Sequence, residues 1–173
     1  MELSTSDTLI ELSIAPLDVS ALSRWVTVPN CGAVVTFCGC VRDHSPGREG
    51  VVSLEYEAYE EFATRRMRAV ADAARQSWPD LARVAIMHRI GTLVVSEVAV
   101  VVAVSSPHRD TAFEAAKFCI DTVKVSVPLW KKERWSGGHE WTDCSHEGIA
   151  STQRVDEGEP TGKTRPSPDS SFT

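Results

Sequence analysis

The segment Ser105-Ser106-Pro107-His108-Arg109-Asp110 sets an imidazole and a guanidinium at the start of a helix. A serine cap followed by Pro107 at the first helical position would place His108 and Arg109 in the first turn. Unpaired backbone N–H groups and the positive end of the helix dipole favour an anion there, phosphate included. The plainer alternative is a solvated Arg109 and a His108 packed against the preceding strand.

A second group of cations follows: Lys124 near the end of the same helix, then Lys131, Lys132 and Glu133 beyond Pro128. Lys124 lies seven residues after Lys117, on the helix face opposite the apolar stripe. Strand alternation puts Lys131, Glu133 and Trp135 on one face, with Trp130, Lys132 and Arg134 on the other. Only one of the adjacent lysines can therefore enter a given pocket, and Lys131 is the candidate. A lysine that is desolvated or crowded by other cations can act as acid, base or nucleophile. Against this stand ordinary solvent-facing lysines, with Asp121 able to pair with Lys124 at i,i+3.

The third stretch is Phe37-Cys38-Gly39-Cys40-Val41-Arg42-Asp43-His44. Gly39 would let the backbone approach a ligand closely, and Arg42 could make a bidentate contact to phosphate. A metal site from Cys38, Cys40 and His44 lacks a second ligand pair at the usual spacing.

These residues need elements to hold them. Leu9–Ile14 alternates as a short strand, and Asp18 caps a helix carrying Leu22, Trp25 and Val26. Gly32 to Cys38 reads as a strand that runs into a polar loop with Asp43, Ser45, Pro46 and Gly47. Val52, Leu54, Tyr56 and Ala58 alternate with polar residues, so they are expected to share the buried face of one strand. From Glu60 to Trp78 the period is helical, with Phe62, Met67, Val70, Ala71 and Ala74 as the stripe, until Trp78-Pro79-Asp80 ends it.

Val84, Ile86, His88 and Ile90 alternate up to Gly91, and Val98 to Val104 is apolar enough for a strand covered on both faces. The next helix presents Ala112, Phe113, Ala116, Cys119, Ile120 and Val123 as its expected buried stripe. Leu129–Trp135 and His139–Thr142 flank Ser136-Gly137-Gly138 as a hairpin. Helices and strands joined by short links predict an α+β domain, largely antiparallel, over residues 1–144. Residues 145–173 carry little to bury and are expected to be a disordered tail.

Composition narrows the functions. A chain of 173 residues with a formal charge of -6 offers no basic surface for general nucleic-acid binding. The N-terminus lacks a secretory pattern, and no apolar run nears the roughly 20 residues of a membrane span, so a cytoplasmic protein is expected. Its five cysteines show no disulfide or zinc pattern and read as reduced thiols.

Taken together, the motifs resemble the large subunit of molybdopterin synthase, the MoaE family. The matching stretches are Gly32-Ala33-Val34-Val35-Thr36-Phe37 through Gly39 to Val41-Arg42, then Met87-His88-Arg89-Ile90-Gly91, and Ser106-Pro107-His108-Arg109. Ala112-Phe113-Glu114-Ala115 and Val127-Pro128-Leu129-Trp130-Lys131-Lys132-Glu133 complete the set, over roughly residues 8 to 143. Several motifs in consistent order are far more specific than one.

The resemblance implies an α/β hammerhead fold with an additional small antiparallel sheet. It implies a homodimer within a heterotetramer, each end carrying a small ubiquitin-like MoaD-like subunit with a C-terminal Gly-Gly thiocarboxylate. The implied reaction transfers sulfur from that carrier to cyclic pyranopterin monophosphate, making the dithiolene of molybdopterin, with no cofactor or metal. Lys124 and Lys131 match the lysines on which the chemistry depends. Cys40, Val41, Arg42, His108, Arg109, Lys132 and Glu133 join them as expected substrate-binding residues. Cys40 is a departure, standing where a number of relatives carry a basic residue, and the tail has no clear counterpart in shorter members. Two other readings fit the residues alone: a non-catalytic module binding a phosphorylated metabolite, and an enzyme using Cys38 or Cys40.

Overall fold

The computed structural model describes residues 6–143. The tail and Cys144 lie outside that range. The main sheet orders its strands β1 (Thr8–Ser13), β6 (Arg83–Arg89), β8 (Val98–Ser106), β2 (Ala33–Cys40). Only the β1–β6 pair is parallel; the other two are antiparallel. Because β8 is flanked on both sides and buried from Ala99 onward, its run of valines makes sense as an inner strand.

Alternation along β6 and β8 feeds two cores. Val84, Ile86, Val102 and Val104 pack under α2 (Glu60–Ser77) and α3 (Arg109–Ser126), against Met67, Val70, Ala116 and Ile120. Ala85, Met87, Val101 and Ala103 turn the other way, onto Leu22, Trp25 and Val26 of α1 (Val19–Val26). Asp18 caps α1 as expected, its carboxylate accepting from the Ala21 amide at 2.8 Å.

A second, antiparallel sheet orders β10 (Gly138–Asp143), β9 (Leu129–Trp135), β5 (Val51–Ala58) and β7 (Gly91–Val94). Its own core is Val41, Val51, Leu54, Leu93 and Ala99. The architecture is thus α+β, as the order of elements predicts, and it carries the added antiparallel sheet that the resemblance implies. Between β2 and β5 the expected loop contains a hairpin, β3 (His44–Ser45) with β4 (Arg48–Glu49). Two-residue strands leave no periodicity to read.

Three expectations need correction. Val52 is 56% exposed while Val51 and Ser53 are buried, because the pairing of β5 with β9 slips between Val51 and Ser53 and inverts the alternation there. Phe113 is 63% exposed, and Ala115 takes its place on the inner face of α3. Finally, α3 begins two residues later than the serine–proline signal suggests: His108 is the N-cap and makes no side-chain capping bond. Pairing of Ser106 with Ala33 keeps that serine in the strand, and its hydroxyl accepts from the His108 amide at 3.2 Å. The β2 start sits hard against this corner, since a Cβ on Gly32 would lie 2.7 Å from the Pro107 carbonyl oxygen.

Candidate active site

A cavity of about 640 Å³ opens where the two sheets meet the C-terminal end of α3. Three predicted cations line it: Arg42 past the end of β2, Lys124 in the last turn of α3 and Lys131 of β9. Cys40 and Glu133 line it as well. The face rule for β9 holds. Lys131 points in with its side chain 13% exposed, whereas Lys132 lies on the opposite face, 3.9 Å from Glu55 and 5.3 Å from the centre of the Trp141 ring.

Asp121 pairs with Lys117, one turn back, which leaves Lys124 without an ion-pair partner among the described residues. Glu133 is 3% exposed and fully engaged. Its Oε2 accepts from the Ser45 hydroxyl at 2.8 Å and from Arg48 Nη1 at 2.7 Å, and its Oε1 lies 3.4 Å from Lys131 Nζ. Burial opposes its ionisation, but the Ser45 bond, the Lys131 charge and the Arg48 bond together hold the carboxyl below its ordinary pKa. Glu133 therefore anchors its neighbours and has little left to offer a ligand.

Val41 is buried in the small-sheet core, with its N–H on the Glu97 carbonyl and its carbonyl accepting from Ser96. His108 and Arg109 do not line the cavity. Both are exposed at the far end of α3, and fifteen residues at 1.5 Å each separate Arg109 from Lys124 by about 22 Å. Among the described residues, Arg109 pairs only with Asp110, at 3.7 Å.

The family model described as MoaE protein matches residues 12–126. The chain belongs to the MoaE family. The molybdopterin synthase catalytic subunit of Culex quinquefasciatus is 44% identical over 137 residues, covering 78% of this chain and 87% of that protein. The crystal structure of molybdopterin synthase from Staphylococcus aureus matches with TM-score 0.73 at 37% identity, over 80% of this chain and 98% of the other. A protein–protein complex of subunits 1 and 2 of molybdopterin-converting factor from Helicobacter pylori shares the fold, with TM-score 0.63 at 17% identity over 78% and 88% of the two chains. As a MoaE protein, the chain is a sulfur-transferring enzyme subunit of molybdenum cofactor biosynthesis.

The rest of the MoaE cavity is set by residues that sequence reasoning passed over. His88 lines it from β6, 5% exposed, its ring 5.0 Å from that of Tyr56 in an edge-on contact. Its Nδ1 donates to the Arg89 carbonyl at 2.6 Å, so Nε2 is the acceptor available to the cavity. Burial drives its pKa from 6.5 down to about 4, only partly opposed by that bond. The ring is neutral at physiological pH and adds no charge to the three cations. The available signal was a polar residue in the inward phase of an apolar strand. Burial also pushes the Cys38 thiol up, as does Cys40 beside it, which weakens Cys38 as a nucleophile.

The shift at His88 predicts a stability profile. The unfolded chain takes up a proton near pH 6.5 that the folded chain refuses until about pH 4, so stability falls as pH drops through this window. The full loss is on the order of 3 kcal/mol. Urea titrations from pH 7 to 4 should show that loss, and His88→Gln should flatten it. An unchanged slope in the variant would remove His88 as its source.

Proposed function

We propose that this chain acts in the cytoplasm as the receiving enzyme for a small ubiquitin-like carrier, moving sulfur from its Gly-Gly thiocarboxylate to cyclic pyranopterin monophosphate. The observation that carries the reading is the convergence of Arg42, Lys124 and Lys131 on one cavity with a neutral imidazole at its wall. Its size suits a pterin beside an extended peptide tail.

In this reading Lys131 and Lys124 neutralise the incoming thiocarboxylate and the charge that develops as its sulfur bonds to the pterin side chain. Arg42 holds phosphate. Water then cleaves the acyl–sulfur bond, and the carrier leaves as a carboxylate. A second carrier repeats the step, so one dithiolene consumes two thiocarboxylates; each sulfur replaces a side-chain oxygen, one released from carbon as the cyclic phosphate opens to a monoester and the other leaving as water.

His108 and Arg109 enter the same scheme from a second copy. Within one chain they are a helix length from the lysines, farther than an arginine side chain reaches. A homodimer, with a carrier at each end, would bring the N-terminus of α3 from one copy to the cavity of the other. The mass of the carrier tests the reaction. With chain and pterin both present, thiocarboxylate should convert to carboxylate at two per dithiolene. Pterin recovered unchanged beside an intact thiocarboxylate would contradict the proposal.

A further inference from the structure

Arg48 lies on the β3–β4 hairpin and is not among the residues that line the cavity. Its guanidinium nevertheless ties three strands together. Nη1 donates to Glu133 at 2.7 Å, Nη2 donates to Glu140, and the group stacks 3.8 Å from the centre of the Trp135 ring. The side chain is only 22% exposed. The hairpin it belongs to has just two residue pairs, His44 with Glu49 and Ser45 with Arg48, too few to hold shape alone. Yet His44, Ser45 and Pro46 of this hairpin form one wall of the cavity.

We propose that Arg48 is a positioning residue of the sulfur-transfer site, acting through Glu133 to latch the hairpin against β9 and to aim Lys131. The two oxygens of Glu133 divide the work. Oε2 receives the hairpin through Ser45 and Arg48, while Oε1 faces Lys131. With Arg48 in place the carboxylate is shared, so Lys131 is steered by it without being captured. Only arginine suits this position, because one planar group must bridge two carboxylates and stack on an indole. A lysine ammonium is a single point charge.

The inference rests on the sulfur-transfer reading, so its test has one arm that needs no substrate. Amide hydrogen exchange of Arg48→Ala should accelerate about tenfold or more over residues 43–50 and stay unchanged in β6 and β8. In the reconstituted reaction the same variant should lose about tenfold in kcat, with a smaller change in KM, and Arg48→Lys should recover only part. In a Glu133→Ala background, Arg48→Ala should cost less than about twofold more, since its route of action is already gone. Hairpin exchange unchanged by Arg48→Ala would overturn the latch. Losses that simply multiply in the double variant would overturn action through Glu133. If the unaltered chain fails to turn over, the sulfur-transfer reading falls, and exchange still decides the latch.

Discussion

Lys131→Ala is expected to lower the rate of dithiolene formation by about a thousandfold or more while the fold and carrier binding persist. The size of the effect follows from where the ammonium sits. Lys131 is the most enclosed of the three cavity cations: its side chain is 13% exposed, where charge acts through little water, whereas Arg42 and Lys124 are exposed. In the proposed reaction a cation there would stabilise the attacking thiocarboxylate in the transition state, so kcat should fall more than KM rises. The fold should survive because Glu133 keeps Ser45 and Arg48 as donors and is not left as an unpaired buried charge. Turnover, circular dichroism and carrier titration check the three parts. Full turnover by the variant would remove Lys131 from the chemistry.

His108→Ala combined with Arg109→Ala should act differently, raising KM for the cyclic pterin phosphate about a hundredfold with kcat changed far less. A phosphate contact made equally before and during reaction contributes uniform binding. Neither side chain supports the fold. Arg109 is 83% exposed with one long contact to a neighbouring exposed carboxylate, and His108 caps without a side-chain bond. Initial rates over a range of pterin concentration give the split, and thermal melts should be unmoved. A large fall in kcat at saturating pterin would assign this pair to the chemical step.

The contrast between what could be read in advance and what could not has a physical basis. Elements with a long apolar period, such as β8, α2 and α3, announce themselves because burial of a whole face dictates the pattern. The strand rule was enough to choose Lys131 over Lys132. Cases that failed turn on single backbone events. The bulge beside Val52 inverts two residues, and the pairing of Ser106 with Ala33 delays the helix that Pro107 seemed to open. Phe113 fits the helical stripe yet faces out, since periodicity states which residues share a face but not how far the covered face extends. Arg48 was silent for another reason. Its partner Glu133 is 85 residues away, which no local pattern encodes; His88 showed only as a polar residue in the inward phase of β6, and that pattern does not say a cavity lies beside it.

On the proposed scheme, cations from distant stretches of chain meet in one cavity, and a second copy supplies the α3 N-terminus. Mixing two variants that are both nearly silent at subsaturating pterin tests this: Lys131→Ala in one chain, His108→Ala with Arg109→Ala in the other, refolded together in equal amounts. Random pairing makes half the dimers mixed, and each mixed dimer carries one intact site, so activity at subsaturating pterin should return to about a quarter of the unaltered level. A mixture no more active than its separate components would contradict the account.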